Sequence, residues 1–326
     1  MTVQVLHPGL LTTIQDLGRF GSQQYGVIAS GAMDPYSLRI ANLLVGNEQG
    51  EGALEVTLMG TSLAFQQDRL IAITGGDLRA TIDGERAPMW RPIVVREGSV
   101  LTFDYAVHGC RAYVAFAGGI DIPKVMGSKS TYMRAGIGGF NGRALQKGDI
   151  FHCGEMGARS QSLVCELKDP LSWSVNYHTL LNVEQTQTIR VLKGTEFDRF
   201  EKKSQQALFT ESYTLTTNSD RMGSRLEGAA LSLREEFELL SEGVTYGTIQ
   251  VPPNGQPIIL MADRQTTGGY PKIGQVMTAD LPSLAQLRPG GAIQFKEVSL
   301  EEAEKAFIRN ERIIQEIKMA IQLVTS

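Results

Sequence analysis

Short runs of β-branched and aromatic residues, separated by Gly, Pro, Asn or Asp, make up most of the chain. This pattern is typical of β-strands joined by tight turns, and long strand–helix alternation of the kind found in parallel Rossmann-type sheets is missing. We therefore expect a mainly β fold with a few helices, built from barrels or sandwiches. The predicted strands are Thr2–Leu6, Leu54–Leu58, Leu70–Thr74, Ile93–Arg96, Val100–Phe103, Arg111–Ala117, Thr188–Leu192, Pro257–Met261 and Ala292–Glu297.

Two segments carry helix signals instead. Asp34 followed by Pro35 predicts a helix start, and Gly46 predicts the end of that helix. Near the C-terminus, Ser299 stands three residues before Glu302, which is the spacing of a capping box. The sequence thus predicts a first helix after Asp34 and a long helix over 299–324.

The long helix carries apolar residues at alternating spacings of three and four, a heptad-like seam with one polar position. Two interpretations stay open: the helix packs along the protein's own barrel, or the seam receives a partner protein. The seam positions are Leu300, Ala303, Phe307, Asn310, Ile314, Ile317, Ile321 and Val324.

The two halves of the chain share short matches in the same order, at offsets of 186 to 192 residues. For example, Arg96-x-Gly98-x-Val100 matches Arg288-x-Gly290-x-Ala292. A duplicated β domain explains this better than a short-period solenoid. We predict an N-terminal domain over 1–157, a connector over 158–187 that contains Lys168-Asp169-Pro170, and a C-terminal domain over 188–326.

Composition narrows the class of protein. The 326 residues include 35 glycines and carry a net charge of −4 without a long basic run, which argues against a nucleic-acid surface. Three cysteines and four histidines show no metal-ligand spacing, so we expect free buried thiols and no metal site. Neither a signal peptide nor a membrane span is visible, and we expect a soluble cytoplasmic protein.

A glycine-rich run from Gly118 to Gly142 is the first candidate for binding chemistry. Glycines let backbone N–H groups approach an anion, and three cations in the run could add charge. The run is either a phosphate or carboxylate cradle or a set of glycine turns with solvated charges. Neither a Walker A motif nor a GxGxxG spacing is present. The candidate residues are Lys129, Arg134, Gly138, Gly139 and Arg143.

A second candidate opens the chain, where Asp16 and Arg19 precede Ser30 and Asp34. On spacing alone, a local pair and turn or cap residues are the simpler interpretation.

A third candidate lies in the second half. Arg221 and Arg225 could clamp a carboxylate or phosphate, and Asp263 could act as a general base. The alternative is a structural polar network. The other candidate residues of this region are Gln250, Gln265, Thr266, Thr267, Gly268, Gly269 and Tyr270.

These motifs resemble one known family. They are Gln15-Asp16-x-Gly18-Arg19, Ser30-Gly31-x-Met33-Asp34, Gly118-Gly119-Ile120-Asp121-x-Pro123, Gly127-Ser128-x-Ser130-Thr131, Ser219-Asp220-Arg221-Met222-Gly223-x-Arg225-Leu226 and Gln265-Thr266-Thr267-Gly268-Gly269-Tyr270-Pro271. The family is the biotin-dependent carboxyltransferase-like group once called allophanate hydrolase subunit 2. Its stand-alone bacterial members are similar to the C component of 5-oxoprolinase, also described as the antagonist of a sporulation-kinase inhibitor.

The resemblance implies two cyclophilin-like β-barrel domains and a direct partner, a 5-oxoprolinase B-like protein. With an A-like protein, the assembly would open 5-oxoproline to L-glutamate with ATP, whose site the sequence does not locate, and this chain would be inactive alone. A biotin carrier needs a Met-Lys-Met-like turn, whereas Ile317-Lys318-Met319 lies in the predicted helix. We therefore expect no biotin on this chain.

Two alternatives remain. The chain could bind a B-like kinase inhibitor and relieve inhibition of a sporulation histidine kinase, or serve as the carboxyltransferase part of an enzyme that acts on urea or a related amide.

Residue chemistry suggests roles within the enzyme hypothesis. The arginines Arg19, Arg221 and Arg225 would offset developing charge and hold a substrate carboxylate. Asp16 or Asp263 would serve as base or metal contact, and Thr266, Thr267 and the backbone of 268–269 would donate hydrogen bonds.

Overall fold

The computed structural model describes residues 2–166, 171–235, 237 and 239–324. The contacts between Cα atoms divide the chain into two compact units. Unit 1 comprises the residues up to Arg19, Ser30–Leu180 and the residues from Arg312 onward, and unit 2 comprises Phe20–Ala29 and Leu181–Glu311.

Unit 1 contains two antiparallel sheets in its described residues. One has the strand order β11-β1-β4-β9-β6-β7 and the other β2-β3-β10-β5-β8. The strands are β1 (Thr2–Pro8), β2 (Leu11–Gln15), β3 (Ala53–Thr57), β4 (Thr61–Phe65), β5 (Arg69–Asp77), β6 (Thr81–Ile82), β7 (Glu85–Arg86), β8 (Pro92–Val95), β9 (Val100–Thr102), β10 (His108–Phe116) and β11 (Ile150–His152).

The two sheets of unit 1 share one hydrophobic core. Val5 on β1 and Leu63 on β4 belong to the same buried cluster as Val56 on β3 and Val114 on β10. Because alternate residues of a strand point to opposite faces, the other face of β2, β3, β10 and β5 must be covered separately. Helix α1 (Pro35–Leu44) packs against β5 and β10 and supplies that cover.

The start of α1 follows from its sequence. Pro35 occupies the first turn, where its missing N–H costs nothing, and the Asp34 carboxylate accepts hydrogen bonds from Ser37 N (3.0 Å) and Ser37 Oγ (2.5 Å). Gly46 follows the helix with a left-handed φ of 77°. The predicted first helix is confirmed. Helix α2 (Ala158–Glu166), which was not predicted, also lies in unit 1 and packs against β5.

Unit 2 is a closed barrel of seven strands, with the order β12-β19-β16-β17-β14-β13-β20. Parallel pairing of β12 with β20 closes it. The strands of this unit are β12 (Thr186–Lys193), β13 (Ser212–Leu215), β14 (Gly223–Glu227), β15 (Glu242–Gly243), β16 (Thr248–Gln250), β17 (Ile258–Leu260), β18 (Thr267–Gly268), β19 (Lys272–Val276) and β20 (Ala292–Glu297). β15 and β18 form a separate two-stranded ribbon.

Three helices follow in this part of the chain, α3 (Lys202–Thr210), α4 (Leu281–Ala285) and α5 (Leu300–Val324). The predicted capping box at the start of α5 is present, because Ser299 N donates to Glu302 Oε2 (2.7 Å) and Glu302 N donates to Ser299 Oγ (3.2 Å). Hydrogen bonding with Ser299 lowers the pKa of the Glu302 carboxyl. Lys318 lies inside α5.

The seam of α5 is only partly covered. Asn310, Ile314 and Ile321 are buried within the chain, whereas Leu300 and Phe307 are 63% and 41% exposed. The centre of the helix thus packs on the chain itself, while Leu300 and Phe307 near its N-terminus face solvent.

All nine strands predicted from the sequence are present, within a few residues of their predicted ends, and the mainly β fold is confirmed. The predicted repeat is also visible in one turn. Gly98 and Gly290 both have φ of 85°, and their N–H groups donate to the last residues of a preceding strand, Phe65 O (2.8 Å) and Leu215 O (2.7 Å). Duplication of a β domain explains why the same turn recurs 192 residues later.

The predicted domain limits at 157 and 188 stay a prediction. The proposed connector contains α2 and a 3₁₀ turn at Tyr177–Thr179, while Lys168-Asp169-Pro170 lies outside the described residues. The expectation of three buried thiols is wrong for Cys165, which is exposed on α2, whereas Cys110 and Cys153 are buried. A nine-residue helix turns one side to water, and Cys165 lies on that side.

Candidate functional site

Asp16 is the centre of a hydrogen-bond network in unit 1. Its Oδ1 accepts bonds from Gly18 N (2.8 Å), Ser128 Oγ (2.7 Å) and Ser130 Oγ (2.5 Å). Its Oδ2 accepts a bond from Lys129 N at 2.6 Å. The structure thus places the motif that contains Asp16 against the turn at 127–131. The buried Asp16 carboxylate holds that turn in place.

This arrangement decides what the glycine-rich turn can bind. The N–H of Lys129 donates to Asp16, and the N–H of Ser130 donates to Ser128 Oγ (2.9 Å). A phosphate cradle needs such N–H groups to point at the ligand. Because internal acceptors engage them, this turn does not fit a nucleotide phosphate.

Arg19 is fully buried and belongs to the same network. Its Nε donates to Val125 O (3.0 Å) and its Nη2 donates to Ser130 O (2.8 Å). A Cβ added at Gly138 would lie 2.2 Å from Ser130 O and 2.6 Å from Arg19 Nη2, and Gly138 has a left-handed φ of 67°. Gly138 is therefore required for the close approach of the two loops. At Gly139 a Cβ would lie 1.9 Å from Thr131 Oγ1.

The cations of the predicted cradle have partners of their own. Lys129 Nζ pairs with Glu51 Oε1 at 2.5 Å. Arg143 holds both oxygens of Asp149, at 2.7 and 2.8 Å, and this contact lowers the pKa of the Asp149 carboxyl. Arg134 is exposed on a 3₁₀ turn. Lys129 and Arg143 thus have their charge balanced within unit 1.

Sequence reasoning missed a row of buried polar side chains across the second sheet of unit 1. Thr13, Glu55, Tyr113 and Thr74 are neighbours in register on β2, β3, β10 and β5, on the face that α1 covers. Tyr113 Oη donates to Glu55 Oε2 at 2.7 Å, and burial raises the pKa of the phenol well above its ordinary value. The signal was available, since Glu55 and Thr74 each interrupt a run of apolar residues.

The loop before α1 attaches to this row. Met33 N donates to Glu55 Oε2 (2.9 Å) and Asp34 N donates to Tyr113 Oη (2.8 Å). Ser30 takes a left-handed φ of 54°, which is unusual for a residue other than glycine, and its buried Oγ has no hydrogen-bond partner among the described residues. Asp34 itself caps α1, so its carboxylate has a structural task.

In unit 2, Arg221 and Asp263 form a buried bidentate ion pair. Arg221 Nε lies 3.0 Å from Asp263 Oδ2 and Nη2 lies 3.0 Å from Oδ1, with side chains 5% and 7% exposed. Asp263 N also donates to Arg221 O (2.8 Å). The structure thus joins two motifs 42 residues apart, and each charge balances the other.

The remaining candidates of unit 2 surround the ribbon of β15 and β18. Gln250 Nε2 donates to Tyr270 O (3.3 Å), and a Cβ at Gly268 would lie 2.4 Å from the same nitrogen. Thr266 is half-buried, while the side chains of Gln265, Thr267 and Tyr270 and the backbone of Gly269 are exposed.

Arg225 differs from Arg221, although it lies close to it in sequence. It is exposed, and its guanidinium has no ion-pair or hydrogen-bond partner in the described part of the chain. It lines an open cleft of about 640 Å³ within unit 2, together with Tyr270.

Two further charged groups of unit 2 were not predicted. Lys272 is 9% exposed, and its Nζ lies 2.5 Å from Glu242 Oε2 and 3.7 Å from Glu196 Oε2. Arg264 lies over the ring of Tyr246, and burial lowers the pKa of its guanidinium. Both follow directly on the motifs around Asp263 and Tyr270, which is the signal that could have pointed to them.

The structure brings candidate residues together within each unit. Asp16, Arg19, Lys129 and Gly138 meet in unit 1, and Arg221 meets Asp263 in unit 2. The catalytic and binding roles suggested for them stay predictions.

Among the described residues, no group of three or more His, Cys, Asp and Glu side chains could hold a metal ion. No helix in the described ranges is both long and apolar enough to cross a membrane.

Comparison with known proteins gives one consistent result. The family profile for the carboxyltransferase domain, subdomain A and B, matches residues 25–297. The chain is 40% identical to the 5-oxoprolinase C subunit of Haemophilus influenzae over 319 residues, which are 98% of each chain. It is 41% identical to the 5-oxoprolinase C subunit of Escherichia coli over 316 residues, 97% of each chain.

Larger proteins contain a similar region. The urea amidolyase of Saccharomyces cerevisiae is 34% identical over 314 residues, which are 92% of this chain and 17% of that protein. The crystal structure of the K. lactis urea amidolyase superposes with a TM-score of 0.88 at 30% identity, over 97% of this chain and 20% of that one. The chain thus spans about a fifth of that structure.

Proposed function

Because this chain belongs to the family of the carboxyltransferase domain, subdomain A and B, we propose that it is the C subunit of a 5-oxoprolinase. In the proposed enzyme, it binds a B-like protein directly, and an A-like protein completes the assembly. The complex opens 5-oxoproline to L-glutamate with consumption of ATP. The chain alone is then inactive, and it acts in the cytoplasm.

One observation carries this proposal. The two relatives named as the C subunit of 5-oxoprolinase match this chain over 97% or more of both lengths. The urea amidolyase relatives are several times longer, so this chain corresponds to only one part of them. This chain therefore compares along almost its whole length with proteins named as one subunit, and the proposal gives it partner chains for that reason.

The reaction gives ATP a clear use. Water attacks an unstrained lactam slowly, and phosphorylating the amide oxygen makes the ring carbon a better electrophile. The glycine-rich turn at 127–131 does not fit the phosphates, since Asp16 and Ser128 already accept its N–H bonds. We therefore assign no residue of that turn to ATP. In the proposed assembly, ATP binds outside this turn.

A second candidate function is transfer of a carboxyl group to urea or a related amide. The observation that favours it is the likeness to urea amidolyase, with a TM-score of 0.88 over 97% of this chain. In that case biotin would be carried by another chain. Neighbouring reading frames separate the two candidates, because a gene for an A-like protein favours 5-oxoprolinase and a biotin carboxylase gene favours carboxyl transfer.

The direct experiment is to co-express the chain with the A-like and B-like proteins of the same genome and to offer the purified complex two substrates. We expect ATP hydrolysis to rise with 5-oxoproline and to stay at background with urea plus bicarbonate. A response to urea and none to 5-oxoproline would transfer the proposal to the second candidate. Failure of the three chains to co-purify would contradict the proposed assembly.

A further inference from the structure

Unit 2 contains an open cleft of about 640 Å³ on its barrel, a volume within the range of small-molecule sites. β14 forms one wall with Arg225, Leu226 and Glu227. Residues that follow β13 and β16 continue the lining, and Tyr270 lies in it after β18. All the described residues that line the cleft belong to unit 2.

Residues of β14 alternate between the inner and the outer face of the barrel, and this determines which side chains the wall presents to the cleft. Leu226 is buried in the barrel, so its neighbours Arg225 and Glu227 both stand on the outer face. Two residues along a strand rise about 6.6 Å, which sets the approximate spacing of the two side-chain bases. A guanidinium and a carboxylate are therefore offered side by side.

Within the described ranges, neither charge is used by the protein. No hydrogen bond or ion pair joins the side chain of Arg225 or Glu227 to another described group, including each other. The backbone of Arg225 is nevertheless fixed, because its N–H donates to Ser219 Oγ (3.0 Å) and its carbonyl accepts from Thr216 N (2.9 Å). Arg221, four residues away, shows the contrast, since Asp263 occupies its guanidinium.

Besides the two charged side chains, the cleft is lined by a hydroxyl group and an aromatic ring. Thr216 Oγ1 is shielded from water and has no hydrogen-bond partner among the residues that the structure describes, which leaves a hydroxyl in the wall unsatisfied. The Tyr270 side chain is 47% exposed and offers an aromatic ring to a cleft that Ile258 and two prolines also line. Asn218, Asn254 and Gln256 also line the cleft, so half of the lining residues are polar and suit a small ligand that carries several polar groups.

The charges also argue against a polyphosphate. Arg225 is the one Lys or Arg side chain among the described residues that line the cleft, and Glu227 would repel a multiply charged group beside it. One carboxylate, by contrast, matches one guanidinium in a bidentate contact.

We propose that this cleft binds a small monocarboxylate that also carries an amide N–H. Arg225 receives the carboxylate, Glu227 accepts the N–H bond, and the ring of Tyr270 covers the CH₂ groups of the ligand. This inference rests on the proposed function, since 5-oxoproline carries one carboxylate and one lactam N–H.

The test is calorimetric titration of the chain with 5-oxoproline, and with 2-pyrrolidinone, which keeps the lactam but lacks the carboxylate. The variants are Arg225→Met, Glu227→Gln and the control Arg309→Met, an exposed arginine on α5. We expect 5-oxoproline to bind the wild type and the control equally. Arg225→Met should weaken binding by about tenfold or more, the value of a charge-assisted bidentate contact. Glu227→Gln should weaken it by about threefold, since a neutral amide oxygen accepts a weaker bond, and 2-pyrrolidinone should not bind measurably.

The three-chain complex supplies the second readout. The KM for 5-oxoproline should rise by about tenfold in Arg225→Met and stay unchanged in Arg309→Met. Equal affinity and equal KM in wild type and Arg225→Met would overturn the proposal, and so would Arg225-dependent binding of ATP. If 5-oxoproline binds through Arg225 but the complex releases no glutamate, the cleft stands and the proposed function fails.

Discussion

At the scale of single residues, Asp16 shows why a carboxylate in a signature motif need not be a base. Four donors converge on its two oxygens, and the residue is 6% exposed. Removing the carboxylate would leave these donors buried without acceptors, which costs about 1 to 3 kcal/mol for each group that water cannot reach. We therefore expect removal of the Asp16 carboxylate to lower the stability of the fold, whether or not it also changes catalysis.

We predict that Asp16→Ala lowers the free energy of unfolding by about 3 kcal/mol, measured by urea denaturation. Asp16→Asn should cost about 2 kcal/mol, since in either orientation the amide nitrogen would face a fixed backbone donor, the N–H of Lys129 or the N–H of Gly18. The control Asp104→Asn changes an exposed carboxylate and should cost less than about 0.5 kcal/mol. An unchanged unfolding free energy in Asp16→Ala together with lost activity of the complex would show that Asp16 acts in the reaction itself.

Arg221 and Arg225 form a matched pair for a second prediction. Arg221→Ala strands the buried Asp263 carboxylate and should lower the free energy of unfolding by about 3 to 5 kcal/mol. Arg225→Ala removes an exposed side chain and should cost less than about 0.5 kcal/mol. Thermal denaturation of both variants checks the difference, and equal losses would contradict the description of Arg221 as a structural residue.

Cys153 makes the free energy of unfolding depend on pH in the alkaline range. Burial raises the pKa of its thiol from 9.0 to about 11. Because the folded pKa lies above the unfolded one, this contribution is fully present below pH 9 and is lost as the pH rises towards 11. Two pKa units correspond to about 2 to 3 kcal/mol.

We therefore predict that the wild type loses about 2 to 3 kcal/mol more unfolding free energy between about pH 9 and 11 than Cys153→Ala does, under reducing conditions. The comparison uses the change with pH, so a packing cost of the substitution cancels. Cys165→Ala, at an exposed position, is expected to follow the wild-type profile. Parallel pH profiles for all three proteins would refute the role of Cys153.

At the scale of elements, α5 combines a packed centre with exposed apolar residues. Ile314 is fully buried, whereas Ile308, on the same helix, is 56% exposed. Ile314→Ala should cost about 2 to 5 kcal/mol because it leaves a cavity, and Ile308→Ala about 0.5 kcal/mol. Chemical denaturation of the two variants measures the contrast, and similar costs would mean that the helix does not pack as described.

The sequence predicted those elements well that depend on interactions between residues close together in the chain. Nine strands, the cap at Asp34 and the capping box at Ser299 depend on neighbours a few residues apart, and all are found. Helices α2, α3 and α4 are five to nine residues long and were not predicted, because so short a segment has too little periodicity to read. Pairing between strands that are far apart in sequence, such as β12 with β20, produces no pattern in the local sequence that could predict it.

The same limit applies to the site. The sequence singled out the segments that carry Asp16, Arg19, Arg221 and Asp263 as candidates, but it could not show that the charge of each of these residues is already engaged within the protein. That depends on contacts such as Asp16 with Lys129 N and Arg221 with Asp263, which join residues 113 and 42 positions apart. For the same reason it could not separate Arg221 from Arg225, although only the second of these two arginines lines the cleft.

At the scale of the whole molecule, both units are mainly β and share a recurring turn at Gly98 and Gly290. In the described part of the chain, the charged candidates Asp16, Arg19 and Lys129 of unit 1 hold loops in place, while unit 2 presents an unpaired arginine and glutamate to a cleft. This division favours unit 2 as the part of the chain that meets a small molecule.

The most direct test of the central proposal is glutamate formation from 5-oxoproline by purified A-like and B-like proteins, with and without this chain. We predict ATP-dependent release of glutamate with all three chains, and none when this chain or ATP is left out. Equal rates with and without this chain, or no turnover by a well-folded three-chain complex, would contradict the proposed function.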